Sequence, residues 1–121
     1  MKFTREFSSA TTIRRVSGTA IVIGDQSYTE TIALTPDGLI DDFEPPPLAE
    51  LAIAHLEALL RYEPELVILG TGEHSVFPPR ELTFAFARRR VGLEVMDTGA
   101  AARTFNVLAG EGRRLAAVLY I

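Results

Sequence analysis

The fold of this chain is decided by one stretch of its second half, Leu66-Val67-Ile68-Leu69-Gly70-Thr71-Gly72. Apolar residues that follow one another without alternation predict a central strand buried on both faces. The Gly-Thr-Gly that follows lets the backbone turn tightly beside a ligand or another chain. A second apolar strand, 93–96, runs in the same way into Asp97-Thr98-Gly99. The two strand-to-turn transitions predict neighbouring strands of one sheet.

The segments around these strands predict helices. Pro78-Pro79 begins a helix that runs to Val91, because proline costs nothing where the first N–H groups are unpaired anyway. We expect Gly92 to be its C-cap. Asp97 or Thr98 caps a further helix through Ala109. The chain then ends in a buried strand over residues 115–121.

A helix between two strands makes the strands parallel through a right-handed crossover. The carboxyl ends of strands 66–69 and 93–96 then meet at one edge of the sheet. Ligands of open α/β sheets bind outside such ends. We therefore place a crevice between Gly70–Gly72 and Asp97–Gly99.

The first half carries strand and turn signals and one amphipathic stretch. Gly24-Asp25 predicts a hairpin turn, and proline and Asp-Gly predict a turn over 35–38. Leucines at helical spacing after Pro45-Pro46-Pro47 predict a helix. The predicted elements are strands over 19–23, 27–34 and 39–43 and a helix over 48–61. We expect a single α/β domain over 18–121, preceded by a leader or sheet-edge segment over 1–17.

Composition excludes several classes of protein. The 121 residues carry a net charge of −4 and contain no cysteine, which excludes disulfides, iron–sulfur clusters and thiol nucleophiles. Apolar runs are too short to span a bilayer, so we expect a cytoplasmic protein without membrane insertion. Residues 16–60 hold eight acids and no Lys or Arg, which disfavours nucleic acid as a partner.

The glycine-rich turn does not complete a nucleotide-binding motif. A dinucleotide fingerprint needs a third glycine and an immediate helix, whereas Gly72 is followed by the loop of Glu73 to Phe77. Gly70, Thr71 and Gly72 form either a structural turn or a backbone cradle for a ligand or partner segment. Asp97 and Thr98 serve as a helix cap, with a place at the crevice as the alternative.

Three further side chains are candidates for the site. Arg103 and Asn106 share one helix face. Arg103 either bridges to Asp97 or Glu94 or faces the crevice as a carboxylate-binding fork. His74 lies in the glycine-rich loop and is the best general-base candidate, although a surface histidine is the simpler interpretation. Two histidines without metal-ligand spacing predict no metal site.

The stretch from Glu65 to Gly72, Phe77-Pro78 and the block from Glu94 to Arg114 resemble a small family of bacteria and archaea. It is a domain-of-unknown-function family that includes mitochondrial complex I assembly factor 3. The resemblance implies a three-layer α/β domain with a mixed central sheet and a small β-hairpin element packed on it. It implies no established catalytic activity. Many relatives carry Cys where this chain has Ala102, so no function of that thiol transfers here.

Two hypotheses for function follow. The first is a non-enzymatic binding or assembly protein with a protein partner, as the resemblance implies; a homo-oligomer stays open. The second is a small-molecule-binding protein or weak enzyme that uses the crevice at Gly70–His74 and Asp97–Thr98 with Arg103. No cofactor is expected. A closed apolar pocket would favour the second hypothesis, and an exposed apolar patch elsewhere would favour the first.

Overall fold

The computed structural model describes residues 12–121, in which strands and helices alternate after a β-rich start. The strands are β1 (Ile13–Val16), β2 (Ile21–Ile23), β3 (Gln26–Tyr28), β4 (Ile32–Thr35), β5 (Gly38–Leu39), β6 (Leu66–Thr71), β7 (Gly92–Met96) and β8 (Leu115–Tyr120). Two 3-10 turns, Leu48–Glu50 and Ile53–Leu56, lead into the short helix α1 (Glu57–Leu60). The longer helices are α2 (Arg80–Arg89) and α3 (Thr98–Gly110).

The central sheet is mixed and has the strand order β5-β4-β8-β6-β7. β6 pairs in parallel with β7 and with β8, whereas β4 pairs antiparallel with β8 and β5. The predicted parallel crossover through the helix after Pro79 is therefore confirmed. β8 lies between β4 and β6, and all of its residues are buried.

A small antiparallel sheet, β1-β2-β3, and helix α3 cover one face of the central sheet. Their shared core contains Ile21 and Phe105, both fully buried. Helix α2 and the segment from Leu48 to Leu60 cover the other face. The expected α/β fold, with three layers and a small β element packed on a mixed sheet, is confirmed. β1 lies in the segment expected to be a leader or sheet edge, and residues 1–11 lie outside the described residues.

The predicted strand over 27–34 is wrong, because the chain changes sheets within it. β3 ends at Tyr28 in the small sheet, and β4 begins at Ile32 in the central sheet. All residues of β4 are buried, because it lies between β5 and β8 and needs apolar side chains on both faces. The predicted strand over 39–43 is shorter than expected and pairs only at Gly38–Leu39.

The predicted continuous helix over 48–61 is also wrong. Leu51 and Ala52 adopt extended backbone conformations that separate two 3-10 turns. The Ala52 N–H donates to Nδ1 of His55 over 3.0 Å, whereas in a helix it would bond to the carbonyl of Leu48. The leucines of this segment still reach the core, since Leu51, Leu56 and Leu59 are buried. The break lets these leucines reach the sheet at the cost of helical hydrogen bonds.

The predicted C-cap of α2 lies at a different residue. Arg90, and not Gly92, takes the left-handed conformation after the helix, with a φ of 60°. Gly92 instead begins β7, where an added Cβ would lie 3.1 Å from Leu66 Cδ1. The glycine at this position therefore allows close approach of β7 to β6.

Tyr120, the last residue of β8, anchors the proline segment that crosses the sheet. Its hydroxyl donates a hydrogen bond to the carbonyl of Pro46 over 2.8 Å. Burial raises the pKa of Tyr120 from 10 to about 12. The pKa of Tyr62 shifts in the same direction, through partial burial and the nearby Asp37 carboxylate. The folded protein therefore holds these phenol protons more tightly than the unfolded chain does.

We predict that the protein loses stability between pH 10 and pH 12. The contribution of Tyr120 is fully present below pH 10 and falls by about 2–3 kcal/mol as the pH rises through the folded pKa of about 12. Urea unfolding across this range measures the loss. The Tyr120→Phe variant should be less stable at neutral pH by about 1 kcal/mol and should show a shallower alkaline decline. An equally steep decline in that variant would contradict the assignment.

Candidate functional site

The predicted crevice exists at the carboxyl ends of β6 and β7. It is a solvent-open cleft of about 400 Å³. Four of the candidate residues line it, namely Gly72, His74, Asp97 and Thr98. Gly70 and Thr71 lie in the wall behind it, and Arg103 and Asn106 lie outside it. The geometry thus brings the two predicted strand-to-turn transitions together.

Thr98 joins the ends of three elements at the base of the cleft. Its hydroxyl donates to the carbonyl of Tyr120 over 2.6 Å and accepts the N–H of Gly72 over 2.8 Å. Its own N–H donates to the carbonyl of Gly72 over 2.9 Å. The side chain is buried, so water does not compete with these bonds. Thr98 therefore holds the start of α3 to the ends of β6 and β8.

Asp97 is the N-cap of α3, as the sequence predicts. Its Oδ1 accepts the N–H of Ala100 over 2.8 Å, and its carbonyl accepts the N–H of Ala101. A carboxylate at this position is stabilised by the partial positive charge of the helix N-terminus. One carboxylate oxygen is thus committed to the cap, at the rim of the cleft.

Gly70 and Thr71, which the sequence placed in a turn or backbone cradle, are instead the last two residues of β6, so the turn begins at Gly72. An added Cβ on Gly70 would lie 2.9 Å from Thr98 Oγ1 and 3.1 Å from Ala101 Cβ, so glycine is needed for α3 to approach β6. The Thr71 hydroxyl donates to the carbonyl of His74 over 2.6 Å and accepts the N–H of Val76 over 3.1 Å. The loop after β6 is therefore held by a buried hydroxyl.

Gly72 and His74 form the outer part of the cleft. Gly72 has a φ of 99°, a conformation that glycine adopts without strain. The side chain of His74 is exposed, and no hydrogen bond joins its ring to another residue within 12–121. The general base proposed at this position is therefore not hydrogen-bonded to an acid or a nucleophile in that range.

Arg103 and Asn106 line a separate cavity of about 170 Å³ beside β1. The predicted bridge from Arg103 to Asp97 or Glu94 is wrong, since Arg103 is exposed and forms no ion pair within residues 12–121. Asn106 instead docks β1, because its amide donates to the carbonyl of Ile13 over 2.9 Å and accepts the N–H of Ile13 over 3.0 Å.

Two parts of the cleft were missed by the sequence interpretation. Tyr120 and Ile121 line it from the end of β8, and Val16 to Gly18 line it from the connection after β1. The first pair could have been found, because β8 is parallel to β6 and must end at the same edge. The second group depends on where the small sheet packs, which no local pattern records.

Several polar groups at the cleft are committed to the fold, whereas Ser17, Glu73 and His74 line it with exposed side chains. The hydroxyls of Thr71 and Thr98 and one oxygen of Asp97 are bonded within the fold. Within residues 12–121, no group of three or more His, Asp or Glu side chains is placed to hold a metal ion. The arrangement can accommodate a small molecule or an extended segment, chiefly through backbone and apolar contacts.

Large apolar side chains are exposed away from the cleft floor. Phe77 is 94% exposed in the loop that leads to α2, and Val76 beside it is 49% exposed. Phe84 on α2 is 52% exposed and Val107 on α3 is 61% exposed. The sequence analysis did not identify these residues, because hydrophobic spacing alone does not tell a buried phenylalanine from an exposed one.

Comparison with known proteins matches residues 13–120 to the family described as "Protein of unknown function (DUF498/DUF598)". The chain is 38% identical to a Xanthomonas campestris protein solved by NMR, over 90% of this chain and 83% of that one, with a TM-score of 0.83. It is 32% identical to a Bartonella henselae protein described as an outer membrane protein, over 94% of this chain and 97% of that one, with a TM-score of 0.73.

A Francisella tularensis protein named "13 kDa major membrane protein" is 30% identical over 66 residues. The match spans about half of each chain, 54% in both cases. In this protein, none of the helices within residues 12–121 has the length and apolar character needed to cross a bilayer.

We predict that Thr98→Val lowers the free energy of unfolding by about 2–4 kcal/mol, because the Gly72 N–H and the Tyr120 carbonyl lose a buried partner. Urea denaturation measures the change. Thr98→Ser keeps the hydroxyl and should recover most of the loss. The matched control Thr83→Val alters an exposed threonine of α2 and should stay within about 0.5 kcal/mol of the parent. Equal effects of Thr98→Val and Thr83→Val on the free energy of unfolding would contradict the role of Thr98 in joining α3 to the ends of β6 and β8.

Proposed function

We propose that this chain, which belongs to the DUF498/DUF598 family of proteins of unknown function, is a non-enzymatic binding module for a protein partner. The observation that carries the proposal is the exposure of Phe77, 94% of whose side chain faces solvent. A phenylalanine at the surface gains free energy when a partner removes it from water. The loop Glu73–Phe77, which we call the presenting loop, is the proposed binding element.

The presenting loop is held in place before any partner arrives. The Thr71 hydroxyl bonds both the carbonyl of His74 and the N–H of Val76. Pro78 and Pro79 then restrict the backbone between Phe77 and α2. A pre-organised loop loses little conformational entropy on binding. This supports a recognition role for Phe77 and Val76.

The polar groups of the cleft support a binding role over a catalytic one. Thr98 and Asp97 are engaged in holding α3, and His74 has no hydrogen-bonded partner side chain within residues 12–121. Nucleophilic catalysis needs a nucleophile and a base within hydrogen-bond reach. The residues that sequence reasoning assigned to the cleft thus serve mainly to shape the surface next to the presenting loop.

An assembly role is the specific form of this proposal. It rests on the resemblance of the C-terminal block to the family of mitochondrial complex I assembly factor 3. The names of two relatives, a major membrane protein and an outer membrane protein, are compatible with a partner that lies at a membrane. The cytoplasmic location expected from the sequence stays a prediction.

We predict that Phe77→Ser abolishes partner binding without loss of stability, because the side chain contributes contact area and little core packing. Affinity purification of the parent protein from the cells in which it naturally occurs should recover a stoichiometric protein partner. Val107→Ser, which removes an exposed apolar residue of α3, should recover the same partner. Recovery of the partner by the Phe77 variant at the parent level would count against the presenting loop.

A second function, the binding of a small molecule in the cleft, is favoured by the size of the cleft. Its volume of about 400 Å³ lies within the range of about 300–1,000 Å³ typical of ligand sites. Gly72, His74, Tyr120 and Ile121 line the cleft.

We expect a cleft ligand to raise the melting temperature by more than about 3 °C, roughly a kcal/mol for a domain of this size. A thermal-shift screen against a metabolite library provides the measurement. His74→Ala should reduce the shift, whereas His55→Ala, which changes the histidine outside the cleft, should leave the ligand-induced shift intact. A shift that survives His74→Ala unchanged would place the ligand elsewhere.

A further inference from the structure

The outer face of α2 exposes an aromatic side chain between two arginines. Leu82, Ala85 and Phe86 of this helix are buried. Phe84 lies on the opposite side and is 52% exposed. Arg80 and Arg88 are four residues before and after Phe84, so they lie one turn away on the same face. We call Arg80, Phe84 and Arg88 the arginine face.

The arginine face is the positive part of a negative protein. Residues 80–90 contain four arginines and one glutamate, a net charge of +3, within a chain of net charge −4. Arg89 pairs with Glu57 over 3.0 Å. Arg80, Arg88 and Arg90 are exposed and form no ion pair with another residue of the described range. Glu81 is also exposed and, three residues before Phe84, shares this side of α2, so the face of Arg80, Glu81, Phe84 and Arg88 has a net charge of +1.

We propose that the arginine face binds the surface of a bilayer that contains anionic phospholipids. The arginine stems can lie along the interface while their guanidinium groups contact phosphate oxygens. Phe84 can enter the boundary between headgroups and acyl chains, as apolar side chains of interfacial helices do. This inference goes beyond the proposed function, which depends on Phe77 and not on the arginines.

Charge selects a bilayer over a second copy of the chain. A two-fold dimer through this face would bring Arg80 and Arg88 near the arginines of the second copy, because such an interface joins the same patch of both copies. The like charges would repel. Phe84 also projects from the convex surface of a helix, so a flat and fluid anionic surface can contact it without a matching pocket.

Co-sedimentation of the full-length chain with vesicles tests the proposal. One set of vesicles contains phosphatidylglycerol and phosphatidylcholine in equal parts, and the other contains phosphatidylcholine alone. We expect binding to the anionic set only. It should weaken when salt rises from about 0.1 M to about 1 M, which shortens the Debye length from about 10 Å to about 3 Å.

The variants assign the binding to the face. Arg80→Gln with Arg88→Gln should weaken partitioning about 25-fold, since each arginine near an anionic surface contributes about fivefold. Phe84→Ser should weaken it by about tenfold. The matched controls Arg103→Gln and Val107→Ser alter an exposed arginine and an exposed apolar residue of α3 and should bind as the parent does. Thermal unfolding of every variant checks that it is folded.

Three results would overturn the proposal. They are equal binding to neutral and anionic vesicles, binding unchanged by Arg80→Gln with Arg88→Gln in folded protein, and no vesicle binding by the parent. If the parent protein does not bind vesicles but binds poly-L-glutamate through the same arginines, the face would be assigned to an acidic protein partner. Dimerisation lost in Phe84→Ser, without vesicle binding, would assign it to a second copy. Each of these results leaves the Phe77 proposal standing.

Discussion

The structure depends on the hydroxyl of Thr98, which connects the ends of β6 and β8 to the first turn of α3. A parallel strand that ends at a sheet edge leaves backbone groups without ladder partners. Here the Gly72 N–H and the Tyr120 carbonyl find one buried side chain between them. Gly70 lets α3 come close enough, because any larger residue would meet Thr98. This contact fixes the first turn of α3 at the cleft, and the buried Ala101 and Phe105 hold the rest of the helix on the sheet.

The same contact explains why the expected ligand edge has little chemistry of its own. In open α/β sheets, the N–H groups at strand ends and helix N-termini are free to hold a ligand. In this protein the side chains of Asp97 and Thr98 take up such groups for the fold. What remains accessible is the presenting loop beyond Gly72. The recognition that we propose for Phe77 therefore lies in the loop that follows the sheet edge.

Local patterns predicted the second half of the chain well, whereas long-range packing decided the rest. The strand predicted over 66–69, which the structure extends to Thr71, the Asp97 cap and the buried β8 follow from apolar runs and capping chemistry, which act over a few residues. The break at Ala52 could not be predicted, because it depends on a His55 side chain that competes with a helical hydrogen bond. Arg103 points to solvent because of how α3 rotates on the sheet. Whether Phe77 and Phe84 are exposed likewise depends on long-range packing.

The segment from Gly72 to Arg88 combines rigid attachment with unusual exposure. Gly72 is bonded to Thr98 at one end, and Leu82 and Phe86 anchor α2 in the core further along. In sequence, Phe77 lies between Gly72 and Leu82, and Phe84 lies between Leu82 and Phe86. Both phenylalanines are nevertheless exposed to solvent. Exposed apolar side chains on a mobile segment can fold back on the protein, but a segment fixed by buried contacts cannot bury them without breaking those contacts. The fold therefore leaves both phenylalanines accessible to another molecule.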